Sequence, residues 1–239
     1  MTARRPKAEA GPAIRAVPLL SADNVTIQLL SPKQRQQLLS IATRVQHAKG
    51  QVIYRRGTPG AWLYFCQEGI VKTYRDLPSG SRRITAFLFA HDMFGLAEAG
   101  RYVNTAQAVT QVTSYRVAKD TLAAVLQQDA ALEYHFLSKV THELRSAQRR
   151  AMMLGRRDAA GRLAMFLMLM KRHGLERTAD NLIRLPMSRS DIAAFLGQSL
   201  ESISRATTRL TKMGIVQFQG RYLVRVLDPA RLEQLASNL

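Results

Sequence analysis

The sequence predicts an α+β protein with an N-terminal β domain, a long central helix and a C-terminal winged helix-turn-helix. Three observations support this prediction. Short runs of strand-forming residues fill residues 49–118, a heptad stripe runs from Leu137 to Leu154, and helix stop and start signals surround Gly197. A chain of 239 residues is long enough for two modest domains, each with its own hydrophobic core.

The charge balance points to a polyanionic partner. Lys and Arg number 35 against 17 Asp and Glu, which gives a formal net charge of +18. Such a chain creates a positive field that attracts nucleic acid, although an anionic membrane surface would be attracted as well. Charge alone therefore leaves both partner classes open, and the motifs must decide between them.

Several features predict a soluble cytoplasmic protein without a membrane partner. No apolar run approaches the roughly 20 residues that a membrane-spanning helix needs. Residues 1–18 contain Glu9, Pro12 and Pro18 instead of an apolar core, so they predict a flexible basic tail and not a secretory signal. The lone Cys66 cannot form an intramolecular disulfide, which favours a reducing compartment, and its apolar neighbours predict a buried thiol.

Residues 19–128 form the predicted β domain. Glycines punctuate its apolar runs, and Pro78-Ser79-Gly80 predicts a turn between the last two strands. The clearest predicted strands are Val52–Tyr54, Trp62–Cys66, Ile70–Tyr74 and Ile84–Phe89.

Residues 129–154 form the predicted central helix, and its apolar stripe suggests a dimer seam. The stripe residues are spaced alternately by three and four, as in a coiled coil. They are Leu137, Val140, Leu144, Ala147, Ala151 and Leu154. An amphipathic helix packed on its own domain would show a similar stripe. Because alanines narrow the seam and Arg145, Arg149 and Arg150 solvate the other faces, the pattern favours a dimerisation helix.

The C-terminal domain is predicted to span residues 155–239, after a polar hinge at residues 155–158. Within it, Ser188 is placed to cap one helix and Asp191 favours the positive end of that helix. Gly197 supplies a turn, and Ser199 is placed to cap the next helix. This arrangement predicts a helix-turn-helix.

A generic helical hairpin with a solvated face is the alternative interpretation of this segment. Two features favour DNA recognition instead. Small polar and charged residues crowd the first turn of the second helix, the part that meets base edges in a major groove. After Gly214, the runs at residues 215–218 and 222–226 predict a hairpin about Gly220-Arg221, which would form a wing.

The chain resembles the Fnr branch of the Crp–Fnr transcription regulators over about residues 30–227. The specific match is the Glu-x-x-Ser-Arg motif at residues 201–205, preceded by a Leu-Gly turn at Leu196-Gly197. Residues 154–164 resemble the segment that joins the family's dimer helix to its DNA-binding domain. Weaker matches to the family's β-roll occur at Lys49-Gly50, Arg56-Gly57, Glu68-Gly69 and Phe94-Gly95.

The resemblance implies a cyclic-nucleotide-binding-like β-roll, a dimerisation helix and a winged helix-turn-helix. It further implies a homodimer on double-stranded DNA that reads an inverted repeat close to TTGA-N6-TCAA. Activation would follow from contact with RNA polymerase, and repression where the site overlaps a promoter. The residues implied to read bases are Glu201, Ser204 and Arg205. Those implied to contact phosphates are Arg189, Ser199, Ser202, Thr208, Arg209 and Lys212.

Departures from the family pattern argue against an iron–sulfur cluster and against cyclic AMP. Fnr holds an iron–sulfur cluster through several cysteines, whereas this chain has only Cys66. Members that bind cyclic AMP use a Gly-Glu and an Arg-Ser pair, where this chain has Gly95-Leu96 and Asn104-Thr105. What remains is most like the FixK group, which lacks the N-terminal cysteine cluster and serves low-oxygen, nitrogen-fixation and denitrification genes.

Haem is the other cofactor that the family suggests. Nominal iron ligands are present at His47, His91, His135, His142 and His173. None lies in a distinctive context, and a packed or exposed histidine on the central helix is far commoner than a ligand. The sequence therefore argues against haem.

Two rival functions come from other classes of protein. An enzyme would require a catalytic arrangement, but no Ser-His-Asp set, phosphate loop or metal-spaced cluster supports one. A DNA-packaging protein would bind through charge alone and would have equal affinity for a TTGA repeat and for scrambled DNA.

Overall fold

The computed structural model describes residues 31–155, 158–177 and 181–237. The tail predicted for residues 1–18 and the hinge residues Arg156 and Arg157 lie outside these ranges. In chain order, the helices are α1 (Pro32–Ser40), α2 (Lys119–Gln128), α3 (Ala130–Gly155), α4 (Ala159–Met170), α5 (Arg189–Leu196), α6 (Leu200–Lys212) and α7 (Pro229–Ser237). A π-helical turn, Lys171–Leu175, follows α4.

The N-terminal strands are β1 (Ala42–His47), β2 (Val52–Tyr54), β3 (Trp62–Glu68), β4 (Val71–Asp76), β5 (Arg82–Leu88), β6 (Met93–Phe94), β7 (Ala97–Glu98), β8 (Arg101–Tyr102), β9 (Thr105–Ala108) and β10 (Val112–Ala118). They form two four-stranded antiparallel sheets, β1-β10-β3-β6 and β2-β9-β4-β5, with β7 and β8 as a separate hairpin. This arrangement confirms the predicted β-roll.

Three predicted strands have different ends in the structure. The strands predicted at 62–66, 70–74 and 84–89 span Trp62–Glu68, Val71–Asp76 and Arg82–Leu88. The β4–β5 hairpin continues through pairs such as Asp76 with Arg82, which a search for apolar runs leaves out. The predicted turn closes this hairpin, because the Leu77 N–H donates to the Ser81 carbonyl at 2.8 Å and Gly80 has a positive φ of 76°.

Two apolar clusters stabilise the β-roll. One lies between the two sheets and includes the rings of Tyr64, Phe94 and Tyr102. The other joins the sheet β1-β10-β3-β6 to α1, α2 and the first turns of α3, through residues such as Leu63 and Leu132. The long helix is therefore anchored to the β-roll at its N-terminal end.

The C-terminal strands are β11 (Glu176–Arg177), β12 (Leu182–Arg184), β13 (Val216–Gln219) and β14 (Leu223–Val226). They pair in the order β11-β12-β14-β13, and β13 with β14 forms the predicted wing. The hairpin ends at Gly220, which adopts a φ of 64° that suits glycine. With α5 and α6 in place, this confirms the winged helix-turn-helix.

A third apolar cluster crosses from the β-roll into the C-terminal region. It joins Ile84 and Phe87 of β5 to Phe166 of α4 and Phe195 of α5. A bulge in β5 makes this possible, because Tyr74 pairs with Ile84 while the preceding Thr73 pairs with Ala86. The extra residue turns Ile84 to the same face as Phe87. The outer face of this sheet is thus covered by the helix-turn-helix region.

Candidate nucleic-acid interface

The helix-turn-helix is stabilised by local capping at each step. The Ser188 hydroxyl accepts from the Asp191 N–H at 3.0 Å and begins α5. Gly197 ends α5 in the left-handed region, at φ 62° and ψ 37°, where glycine avoids the strain of a Cβ. The Ser199 hydroxyl then accepts from the Ser202 N–H at 3.1 Å and begins α6. The caps predicted from the sequence are therefore present.

Helix α6 packs through one apolar edge and exposes the opposite face. Ile203, Ala206 and Leu210 are buried, and Met213 is half-buried just after the helix. These positions recur every three or four residues, which fixes the rotation of α6 about its axis. The rotation determines which polar side chains face solvent.

The three predicted base-reading residues share the exposed face. Glu201, Ser204 and Arg205 are all exposed, in the first two turns of α6. An Arg205 Nη atom lies 2.7 Å from a Glu201 carboxylate oxygen, and the Arg205 and Glu201 side chains are 73% and 74% exposed. The structure therefore places a donor fork and a carboxylate side by side near the N-terminus of the helix.

The predicted phosphate-contacting residues fall into two groups. Ser199, Thr208, Arg209 and Lys212 are exposed, while Ser202 is half-buried. Arg209 also approaches Asp158, the cap of α4, with 3.3 Å between guanidinium and carboxylate. Their contacts with DNA stay a prediction.

Arg189 is placed apart from the others. Its guanidinium donates to the Thr207 hydroxyl at 3.1 Å and lies 4.9 Å from the centre of the Phe218 ring. This half-buried side chain therefore joins α5 to α6 and to the wing. Its predicted phosphate contact stays a prediction.

The wing carries basic residues that the sequence reasoning did not assign. Arg221 is exposed beside the hairpin glycine, and Arg184 and Arg225 are exposed on the paired strands β12 and β14. In the sequence, the arginine next to the glycine of the predicted hairpin was the one signal that the wing is basic.

The α3 stripe is only partly free. Leu137 and Leu144 are 57% and 59% exposed, Ala147 and Ala151 are exposed, and Leu154 is half-buried. Val140 instead packs against the β-roll core beside α3. The exposed part of the stripe can accept a partner helix, and the dimer stays a prediction.

A cavity of about 1020 Å³ lies between the β-roll, α3 and the turn after α5. Its charged lining residues are Arg83, Glu143, Arg150 and Arg162. Leu96 and Asn104, which the sequence resemblance matches to the Glu and Arg of cyclic-AMP-binding members, also line it. The Asn104 side-chain oxygen accepts from the Arg75 Nε at 2.8 Å. These two positions supply neither a carboxylate for a ribose nor a guanidinium for a phosphate.

Comparison with known proteins assigns both halves of the chain. Residues 161–235 match the Crp-like helix-turn-helix domain, and residues 44–129 match the cyclic nucleotide-binding domain. The nitrogen fixation regulation protein FixK of Bradyrhizobium diazoefficiens is 31% identical over 82% of this chain and 83% of its own. This chain belongs to the Crp–Fnr family.

Other relatives place this Crp–Fnr regulator in the same part of the family. The transcriptional activatory protein AadR of Rhodopseudomonas palustris is 30% identical over 87% of each chain. The solved structure of FixK2 from Bradyrhizobium japonicum has a TM-score of 0.76 and 31% identity, covering 83% of this chain and 99% of that one. The protein is therefore a FixK-like, DNA-binding transcription regulator and not an enzyme.

The described residues contain neither a membrane-spanning helix nor a metal-binding cluster. No described helix has the length and apolar character needed to cross a membrane. The described His, Cys, Asp and Glu side chains form no group of three or more that could hold a metal ion. Of the candidate haem ligands, His173 stacks on Phe89 with 3.9 Å between ring centres, and the side chain of His142 lies outside the described part.

The buried Cys66 thiol leads to a prediction about oxidation. Its side chain is inaccessible, and burial raises its pKa to about 12. Because the thiolate is the reactive form, the thiol is protonated and inert at neutral pH. We expect air and alkylating reagents to leave DNA binding intact, and mass spectrometry to find Cys66 labelled only after denaturation. Rapid labelling of the native protein with loss of DNA binding would contradict this.

Proposed function

We propose that this Crp–Fnr regulator binds an inverted repeat close to TTGA-N6-TCAA as a homodimer. The exposed pair of Glu201 and Arg205 on α6, with Ser204 beside it, is the observation that carries the proposal. An arginine fork can donate to both O6 and N7 of guanine, and a carboxylate can accept from the N4 amino group of cytosine. Ser204 would contact the neighbouring A·T pair.

The ion pair between these two residues does not oppose recognition. Exposed pairs contribute only about 0–1 kcal/mol to stability, so little is lost when the partners turn from each other to bases. The pair also holds both side chains over the same turn of α6 before DNA arrives. Thr208, Arg209 and Lys212 would then contact phosphates farther along the helix and set its register.

Dimerisation through α3 would place two such helices on one DNA. An exposed apolar stripe that includes Leu137 and Leu144 supports this, because a second copy of the helix would remove it from water. Two recognition helices related by a two-fold axis read an inverted repeat across successive major grooves.

We further propose that the protein activates low-oxygen, nitrogen-fixation or denitrification genes through contact with RNA polymerase. The names of its relatives support this, since they include nitrogen fixation regulation proteins and an anaerobic regulatory protein of Pasteurella multocida. A site that overlaps a promoter would produce repression instead.

We propose that DNA binding requires neither an iron–sulfur cluster, nor haem, nor cyclic AMP. For cyclic AMP, the side chains of Leu96 and Asn104 support the proposal. Calorimetry is expected to show no micromolar binding of cyclic AMP, and affinity for the repeat is expected to be equal with and without it. Micromolar binding, or DNA binding that depends on the nucleotide, would contradict the proposal.

Footprinting on genomic DNA tests the proposed function. We expect discrete protected sites that share the TTGA repeat, each spanning two half-sites. A packaging protein is the second candidate, favoured by the net charge of +18, and would protect DNA continuously without a shared sequence. Discrete sites that share an unrelated motif would contradict recognition of the TTGA repeat but would still agree with a sequence-specific regulator.

A further inference from the structure

The contact between the β-roll and the helix-turn-helix has a well-packed aromatic centre. The ring of Phe87 on β5 lies 5.1 Å from that of Phe195 on α5 and 6.1 Å from that of Phe166 on α4. All three side chains are buried, at 4% exposure or less. Rings at these separations interdigitate and resist sliding.

One ion pair fixes the position of α5 on the β-roll. The Lys72 ammonium group on β4 donates to the Asp191 carboxylate in the first turn of α5, at 2.7 Å. The side chains are only 13% and 16% exposed. When a pair this sheltered loses one partner, the other is left poorly solvated, so the arrangement tolerates little displacement. Asp191 belongs to the helix that immediately precedes the recognition helix α6.

The contact leaves the reading face uncovered. Glu201, Ser204 and Arg205 are exposed while Lys72 and Asp191 are paired. The β-roll is also joined to α3 through the cluster that includes Val140. The β-roll therefore packs against the predicted dimer helix through one sheet and against α5 through β4 of the other, and the cluster that includes Tyr64 and Val71 joins the two sheets.

We infer that Lys72 is a positioning residue that sets which half-site spacing the dimer accepts. The inference rests on the proposed function, because it needs two recognition helices and an inverted repeat. By holding α5 through Asp191, Lys72 fixes the direction of α6 relative to α3. In a dimer, two helices held in this way have a fixed separation and rotation.

DNA geometry makes this positioning measurable. One base pair added to or removed from the spacer rotates one half-site against the other by about 35°. When the spacer changes by one base pair, two rigidly held helices can no longer bind both half-sites. Loosely held helices can reorient and still bind both. Spacing preference thus reports rigidity, while affinity for a single half-site reports base reading alone.

The test measures the affinity of each protein for repeats with spacers of five, six and seven base pairs, and for a single half-site. Lys72→Met keeps the aliphatic stem and removes the charge. We expect it to bind the single half-site as the wild type does, while its preference for the six-base spacer falls at least about threefold. Asp191→Asn is expected to act in the same direction, so the result does not depend on one variant.

Two further variants serve as controls. Lys72→Arg keeps a charge within reach of Asp191 and is expected to retain the wild-type preference. Asp76→Asn breaks the exposed pair of Asp76 and Arg82 in the same β4–β5 hairpin but keeps both Lys72 and Asp191, and is expected to change nothing.

The remaining outcomes overturn the inference. A merely structural role would lower the active fraction for all spacings alike and leave the preference unchanged. Tighter binding of the six-base repeat by Lys72→Met would make the contact inhibitory. If the wild type itself shows no preference for the repeat, the proposed function is wrong. The wild-type measurements alone therefore distinguish this failure from a failure of the inference about Lys72.

Discussion

Replacing Leu137 and Leu144 with Asp is expected to convert the protein to monomers. Both side chains are more than half exposed on the same stripe of α3, so the native monomer loses little packing. Each α3 would then bury two unpaired carboxylates in the predicted interface, which strongly opposes dimer formation. Because linked half-sites raise affinity by about 10²-fold or more, the monomer should lose that advantage on the repeat while still binding a single half-site.

Light scattering and titration with DNA check this result. Leu77→Asp is the matched control, because Leu77 is an exposed leucine on the β4–β5 turn, outside α3. It should remain dimeric. Val140 is unsuitable as a target despite its place in the heptad, since its burial against the β-roll would confound dissociation with misfolding. A double variant that stays dimeric would place the interface elsewhere.

Arg205→Ala is expected to lose about 1–3 kcal/mol of binding free energy per half-site and to lose discrimination at one G·C pair. The Arg205 side chain is 73% exposed and its ion pair adds little to stability, so the change should act on DNA and not on folding. Glu201→Ala should relax selection at the cytosine that it faces. It should not cause a uniform loss, because a carboxylate is repelled by the phosphate backbone.

Lys212→Ala is the matched comparison on the same helix. Lys212 is also exposed and basic, but lies at the C-terminal end of α6. Its loss should weaken binding to all sequences alike and reduce the salt dependence by about one phosphate contact per half-site. If Arg205→Ala weakened every sequence equally while Lys212→Ala relaxed base choice, the recognition face would be rotated from our assignment.

The helix-turn-helix could be predicted from the sequence because its determinants are local. Ser188, Gly197 and Ser199 each act within three or four residues of their own position. The exposure of Glu201 and Arg205 then follows from the apolar periodicity of α6. Such features need no knowledge of the rest of the chain.

The contact between the two regions could not be predicted in the same way. Lys72 and Asp191 are 119 residues apart, and no local pattern pairs them. The bulge that turns Ile84 outward depends on strand register, which apolar runs do not specify. One signal was available, since a continuous run such as Phe87-Leu88-Phe89 is typical of a strand buried on both faces.

The heptad spacing also did not show that its residues have different surroundings in the structure. Its spacing treats Val140 and Leu144 as equivalent, yet one packs within the protomer and the other is exposed. A periodic pattern identifies an apolar face but not what covers it. Arg189 shows the same limit, because its half-burial depends on Phe218 of the wing, 29 residues later.

Competition binding at physiological salt tests the central claim, that α6 reads sequence and does not merely supply charge. Labelled TTGA-N6-TCAA repeat is displaced by unlabelled repeat or by a scrambled duplex of the same composition. We predict that the unlabelled repeat competes about 10³-fold better or more, as sequence-specific regulators do. Equal competition by the two duplexes would contradict the account and leave a protein that binds DNA through its net charge alone.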